Sequence, residues 1–311
     1  METFKMCENL EKAKNNLLEN AKLSIQLGIE DFKLSESDNK RKISSIRNIY
    51  AGLLLLYKYK LVTIGSKDDP FKLIDVSPRY KEVSLIPKKT ITLSEIKEIF
   101  KSQGISMSGE SNKKLDKINK RRNEIEHLYS NEDIIESIND CFILLEDFIR
   151  NNLPEQNNLS NFIGESNYTI LVQNKKVLEE RKKLCRESYN LVLKTFPGIE
   201  ILDMMLEMAE CRNCHSSLIE YYSGEYPDLT LVCDICKTHQ NFDDVLYISH
   251  NDIKRGGSPT ISECEECGGD YLYGVCLDCS YTRELIIDPD TGCEIDYESI
   301  QRMKYLMQKN D

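Results

Sequence analysis

The sequence contains no long hydrophobic run. Its longest nearly apolar stretch, residues 49–57, has nine residues, whereas a helix needs about 20 to span a bilayer. The first twenty residues carry seven charged side chains, so they lack the apolar core of a secretory signal. From these absences we expect neither a membrane-spanning nor an exported protein, but a cytoplasmic one. Tryptophan is missing altogether, and histidine occurs only four times.

The length of 311 residues suggests about two domains. The net charge of -11 is unevenly distributed, because residues 1–150 contain 26 basic and 24 acidic side chains and the remainder contains 15 and 28. We therefore expect the N-terminal part to be able to approach a polyanion and the C-terminal part to repel one.

Apolar residues at helical spacing predict a bundle of five helices in the first half of the chain. The first is expected to end near Gly28, and Thr92 or Ser94 can cap the third. The expected bounds are 2–27, about 40–62, 93–103, about 112–129 and 132–151. Two short alternating runs, 71–76 and 81–86, predict a hairpin.

The second half is expected to begin with a linker at residues 151–158, followed by helices over 171–196 and 199–210. The fold class is therefore mainly α, with small cysteine-rich modules near the end. The expected domains are 1–152, a helical bundle; 153–207, linker and connecting helices; 208–250 and 260–284, two cysteine modules; and 285–311, a tail.

One motif stands out on the fourth predicted helix. The residues Arg122, Asn123, His127 and Tyr129 form the pattern R-N-x-x-x-H-x-Y. This pattern resembles the R-x4-H-x-Y signature of HEPN domains, small all-helical modules of which many are metal-independent RNases of toxin and antiviral systems. The resemblance covers about half of the chain and extends to residues 24–32 and 46–61. The motif also lies on a penultimate helix that precedes a long amphipathic one, as in the family.

The resemblance implies an endoribonuclease that leaves 2′,3′-cyclic phosphate ends and needs no cofactor for catalysis. Arginine can stabilise charge on the phosphorane, histidine can carry the proton because its pKa lies near neutrality, and Asn123 can orient either. In such toxins the tyrosine contributes to activity and can be adenylylated by a partner nucleotidyltransferase, whereas Tyr129 can equally seal the helix end.

Helical geometry predicts that this site is composite. Asn123 and His127 share a face, but Arg122 and His127 lie about 140° apart around the helix axis. Two motif helices facing each other across a two-fold axis can pool these groups, as HEPN RNases do, so we expect a homodimer. Five nearby basic residues favour RNA as the substrate. They are Lys113, Lys114, Lys117, Lys120 and Arg121.

Ordinary surface chemistry offers another explanation for the same residues. Arg122 and His127 can form ion pairs with neighbouring glutamates on a surface helix, and a lysine run is often a solvated face. The competing hypothesis is a non-catalytic adaptor whose HEPN-like bundle dimerises and whose cysteine modules bind a protein or nucleic-acid partner.

Eight of the twelve cysteines form four C-x-x-C pairs. The first two pairs are separated by 18 residues, within the range of about 15–20 that is typical of four-cysteine zinc sites. The last two are separated by only eight, a tighter arrangement in which four thiolates can still complete a tetrahedron. Disulfides are disfavoured in the cytosol, a redox motif needs only one pair, and catalytic zinc needs an open position. We therefore predict two structural Zn²⁺ ions. Their ligands are expected to be Cys211, Cys214, Cys233 and Cys236 for the first, and Cys264, Cys267, Cys276 and Cys279 for the second.

Details around the cysteines sharpen this prediction. Gly268 suits the tight turn after Cys267, whereas His215 follows Cys214. His215 and His239 can replace a thiolate in principle but are expected to be bystanders. The first module should be a zinc ribbon with β-strands over 218–222, 229–232 and 242–247. Because this region is acidic, we expect the modules to dock a regulatory protein, such as an antitoxin, a nucleotidyltransferase or another defence component, or to act in autoregulation. Cys141 and Cys185 are expected to be core thiols.

Overall fold

The structure is a computed structural model of the whole chain. It describes residues 2–66, 69–76, 87, 89–128, 133–190, 209–224, 229–241, 262–264, 266, 268, 270–272 and 275–276. The chain is mainly helical and divides into two compact units, Met1–Leu178 and Glu179–Asp311. No helix in the described part combines the length and apolar character that crossing a bilayer requires.

The first unit is organised around a long pair of helices, α1 (Glu2–Leu34) and α2 (Arg41–Ile64). Helix α1 does not end near Gly28, as the sequence suggested, but continues for six more residues. A Cβ atom on Gly28 would lie 2.5 Å from Ile49 Cγ1, and one on Gly52 would lie 2.5 Å from Ile25 Cγ1. Both glycines therefore permit a close helix crossing instead of terminating a helix.

A buried charge closes the end of this helix pair. The carboxylate of Asp31 on α1 accepts hydrogen bonds from Arg41 at 2.7 Å and from Asn48 at 3.3 Å, both on α2. Asp31 is only 3% exposed, so these partners are needed to offset its desolvation.

Three further helices complete the predicted five: α3 (Leu93–Ser102), α4 (Gly109–Leu128) and α5 (Ile135–Asn152). Thr92, one of the two residues predicted as the cap of α3, caps this helix and forms a capping box with Glu95. The centre of the core is aromatic, with the Tyr57 ring centroid 4.5 Å from that of Phe148 and 5.6 Å from that of Phe100. Cys141 is fully buried in the same core.

The hairpin predicted in this unit differs from the structure. Residues 71–74 form turns, and the isolated bridge between Asp75 and Thr90 replaces the first strand of the expected hairpin; its second strand falls outside the described residues. The turns of residues 71–74 are set by local backbone geometry, which alternation of apolar residues does not reveal.

The segment expected to be a linker contributes to the core. It forms a 3-10 turn (Pro154–Gln156) and leads into α6 (Leu159–Ile163) and α7 (Glu165–Ser188). Leu153, Leu159 and Phe162 are each at most 3% exposed and belong to the core cluster. The first compact unit therefore extends to Leu178, beyond the helical bundle expected over 1–152.

The second unit contains two small antiparallel sheets among its described residues. The first comprises β1 (Ile219–Ser223), β2 (Thr230–Cys233) and β3 (His239–Asn241) in that order. Strands β1 and β2 match the predicted segments within one residue at each end. Strand β3 lies just before the expected 242–247, which fall outside the described residues. The predicted helix over 199–210 also falls outside them, except for residues 209 and 210, which are not helical.

The second sheet is shorter and comprises β4 (Ser262–Glu263), β5 (Asp270–Leu272) and β6 (Val275–Cys276), again in chain order. Tyr271 pairs with Ser262 on one side and with Cys276 on the other. The tail over 285–311 lies outside the described residues.

Candidate functional site

The structure brings the four cysteines of the first predicted set into one cluster. Their sulfur atoms all lie within 4.8 Å of one another, with Cys211 Sγ 3.5 Å from Cys236 Sγ and Cys214 Sγ 3.6 Å from Cys233 Sγ. Four sulfurs at about 2.3 Å from a zinc ion would be about 3.8 Å apart in a tetrahedron. The cluster therefore has the dimensions and donor set for a metal ion such as Zn²⁺.

Each cysteine pair of this cluster lies on the same kind of backbone turn. The amide of His215 donates to the carbonyl of Cys211 at 2.8 Å, and the amide of Lys237 donates to that of Cys233 at 2.9 Å. Both donor residues have a φ of 57°, a conformation that costs a residue with a Cβ about 1–2 kcal/mol. Glycine suits the position after the second cysteine, as at Gly268, but His215 and Lys237 adopt the same conformation in the first set.

The thiols of the cluster influence one another's ionisation. Hydrogen bonds from Cys214 and Cys233 lower the pKa of Cys211, whereas the interaction with Cys211 raises the pKa of Cys214 and brings that of Cys233 to about 12. Multiple thiolates at this separation repel one another, and a bound divalent cation would offset that repulsion.

The two histidines near the cluster have other neighbours. His215 Nδ1 lies 3.9 Å from a carboxylate oxygen of Glu210, and the His239 ring packs edge-on against Tyr222 at 4.5 Å. The metal-ligating group found among the described residues consists of four cysteines.

The turn that carries Cys233 and Cys236, called the second cysteine knuckle below, is also held by residues outside the cluster. Asp234, between Cys233 and Cys236, accepts hydrogen bonds from Arg181 at 2.6 Å and from Lys237 at 2.8 Å. Burial raises the pKa of Asp234, but the bonds from Lys237 and Arg181 outweigh it and leave that pKa below its ordinary value. Sequence reasoning missed Arg181, because its partner lies 53 residues further along the chain.

The second cysteine set is described only in part. Cys264 and Cys276 are buried and pack together, while Cys267 and Cys279 lie outside the described residues. The amide of Gly268 donates to the carbonyl of Cys264 at 2.9 Å, and Gly268 has a φ of 76°. The first pair of the second set thus repeats the turn seen at both pairs of the first.

The arginine of the predicted catalytic motif contacts helix α2. The guanidinium of Arg122 lies 5.7 Å from the centre of the Tyr50 ring and donates to Asn123 Oδ1 at 3.2 Å. Tyr50 in turn donates through its hydroxyl to Asn119 at 2.8 Å. Burial raises the pKa of Tyr50 to about 12, opposed by the Arg122 charge, so this phenol stays neutral at pH 7.

The other motif residues are less fully described. Helix α4 extends through His127. The backbone of His127 therefore lies one turn beyond that of Asn123, on the same side of the helix. The side chain of His127 and the whole of Tyr129 lie outside the described residues. Tyr50 had no sequence signal beyond its place in the apolar stripe of α2, from which its contact with Arg122 could not be read.

The basic run of α4 is not one continuous solvated face. Lys114 is ion-paired with Glu110 at 2.7 Å and lies 3.7 Å from Asp140, and Arg121 is 8% exposed. The expectation of five available cations is therefore wrong for these two residues. Lys113, Lys117 and Lys120 are at least partly exposed.

Comparison with known proteins finds no matching family model, no matching curated protein and no matching solved structure.

Proposed function

We propose that the chain is a metal-independent endoribonuclease of the HEPN type, acting in the cytoplasm as part of a toxin or antiviral defence system. The observation that carries the proposal is the placement of Arg122. Its guanidinium is ordered by the Tyr50 ring and by Asn123 on the same helix that continues through His127. Metal-free RNA cleavage needs a group that moves a proton and a group that stabilises charge on the phosphate, and histidine and arginine suit these two roles.

The chemistry follows from these groups. The 2′-hydroxyl of the RNA attacks the adjacent phosphate, His127 handles the proton, and Arg122 stabilises the charge on the phosphorane. Asn123 supports both, and the product carries a 2′,3′-cyclic phosphate. Because Arg122 and His127 emerge on different sides of α4, the complete site is proposed to form between two copies of the chain.

The second unit would serve this enzyme as a zinc-dependent module. We assign one structural Zn²⁺ to Cys211, Cys214, Cys233 and Cys236, within a zinc ribbon formed by β1–β3. A second is assigned to Cys264, Cys267, Cys276 and Cys279, supported by the repeated turn at Gly268. The acidic charge of this part of the chain favours a regulatory protein over RNA as its partner.

The test is cleavage of total cellular RNA by the purified full-length protein. Wild type should yield 2′,3′-cyclic phosphate ends, and His127→Ala or Arg122→Ala should lower the rate by about 10²–10⁴-fold. Arg150→Ala is a matched control, since the side chain of Arg150 is 74% exposed on α5. Brief EDTA treatment during the assay tests metal independence, with protein-bound zinc measured alongside to exclude loss of fold. Equal cleavage by wild type and His127→Ala would contradict the proposal.

The second candidate is a non-catalytic adaptor. It is favoured by the first cysteine cluster, where four sulfurs leave no open coordination position for chemistry. An adaptor predicts that cell toxicity survives both Arg122→Ala and His127→Ala but disappears with Cys233→Ser. The enzyme predicts that toxicity disappears with either of the first two substitutions.

A further inference from the structure

The C-terminal part of helix α7 packs against the metal cluster of its own unit. Two guanidinium nitrogens of Arg181 donate to one carboxylate oxygen of Asp234, at 3.0 and 2.6 Å, and Lys237 donates to the other at 2.8 Å. Asp234 stands between two of the metal ligands, so Arg181 holds the loop that presents Cys233 and Cys236.

The same segment is joined to the edge strand of the first sheet. The amide of Tyr221 donates to Ser188 Oγ at 2.9 Å, and the hydroxyl of Tyr189 donates to the carbonyl of Ile219. Tyr189 is 5% exposed. Cys185 Sγ lies 3.9 Å from a carboxylate oxygen of Glu220. Residues 181–189 thus contact both β1 and the second cysteine knuckle.

The knuckle is in turn fixed to the sheet. The amide of Asp234 donates to the carbonyl of Leu218 at 2.8 Å, which adjoins β1. Displacing residues 181–189 would leave the Asp234 carboxylate without its guanidinium partner and the buried Tyr189 hydroxyl without its carbonyl. Both losses would weaken the support of the loop that carries Cys233 and Cys236.

We propose that Arg181 is a positioning residue of the metal site and that metal binding and docking of residues 181–189 are coupled. The inference rests on the zinc assignment made above, and it goes further, because it makes a helix segment outside the cysteine motifs part of the metal module. By thermodynamic reciprocity, the metal then stabilises the docked helix as much as the docked helix stabilises metal binding.

The first test measures zinc affinity of the full-length protein by competition with a chromophoric chelator. Arg181→Met should weaken zinc binding by about 10–100-fold, the range for residues that orient metal ligands. Arg181→Lys should recover part of this loss, because it restores one charged donor. Lys183→Met is the matched control and should bind zinc as wild type does, since Lys183 is 75% exposed and pairs with Glu187 on its own helix.

The second test uses hydrogen exchange of the wild-type protein before and after zinc removal. Amides of residues 181–189 should exchange faster without zinc, while those of α5 stay protected. Because this measurement uses only the wild-type protein, it tests the coupling even if Arg181→Met fails to fold.

The outcomes distinguish failure of the coupling from failure of the zinc assignment. If wild type binds zinc but Arg181→Met binds it equally well and exchange at 181–189 ignores the metal, the coupling is refuted and the zinc assignment stands. If wild type binds no zinc, both are refuted.

Discussion

The two compact units solve the problem of stability by different means. The first buries continuous apolar faces of long helices, with Tyr57, Phe100 and Phe148 at their centre. The described strands of the second are two to five residues long, and its described part contains four clustered thiols and a few buried apolar side chains such as Leu218 and Leu231. Short strands bury little surface, and a structural metal commonly supplies what they lack. The comparison teaches that burial stabilises one unit, whereas the other is expected to depend on a cation.

The largest effect should come from removing the cation. Cys233→Ser should abolish zinc binding at the first site, where binding contributes about 10–16 kcal/mol in comparable small zinc modules. We expect β1–β3 to lose hydrogen-exchange protection while α1–α5 keep theirs. Cys141→Ala, which removes a buried thiol of the first unit, should retain the zinc. A Cys233→Ser protein with a fully protected sheet would show that the second unit does not need its metal.

The converse experiment truncates the aromatic core of the first unit. Phe148→Ala should lower the free energy of unfolding by about 3–5 kcal/mol, because the large cavity between Tyr57 and Phe100 cannot close completely. Denaturant unfolding followed by circular dichroism measures this loss, and zinc content should not change. Leu23→Ala, at a side chain that is 58% exposed, should cost less than about 0.5 kcal/mol.

A smaller effect is expected where α1 and α2 cross. Gly28→Ala should destabilise the first unit by about 1–3 kcal/mol, since the new methyl group would lie 2.5 Å from Ile49 Cγ1 and 2.8 Å from the carbonyl oxygen of Ser45. Gly109→Ala places a methyl group with no atom within 4 Å and should be neutral or slightly stabilising. Equal melting temperatures for the two variants would mean that the crossing can relax.

The smallest effect concerns the cap of α3. Thr92→Ala should cost about 0.5–2 kcal/mol. Hydrogen bonds from the backbone and the hydroxyl of Thr92 lower the pKa of Glu95. The contribution of the Glu95 carboxylate to stability is therefore fully present above its unfolded pKa of about 4.3. That contribution is lost as the pH falls through the lower folded pKa. Glu95→Gln should flatten this part of the stability–pH profile; an unchanged profile would assign the acid dependence to other carboxylates.

Local chemistry made much of this architecture predictable. Apolar periodicity located α2 and α4 to within a few residues, Thr92 signalled the start of α3, and C-x-x-C spacing identified the first cysteine cluster without knowledge of the fold. Each of these signals lies within a few residues of the feature that it predicts.

The features that the sequence did not disclose depend on distant partners. Gly28 resembles a helix end until α2 is placed against it, and Leu153 resembles part of a linker until the core that receives it is known. Tyr50 beside Arg122 and Arg181 beside Asp234 are likewise contacts between residues more than 50 positions apart. His215 and Lys237 adopt positive φ because the cysteine turns demand it, although neither is glycine.

Gly28 on α1 and Gly52 on α2 also restrict how these two helices can pair. Gly28 receives Ile49, and Gly52 receives Ile25, so that on each helix the glycine follows the isoleucine by one turn. Sliding one helix by a turn would set residues with side chains where only bare backbone fits. The two helices therefore fit together in the observed alignment, and a shift of one turn along either helix is opposed by steric clash at both glycines.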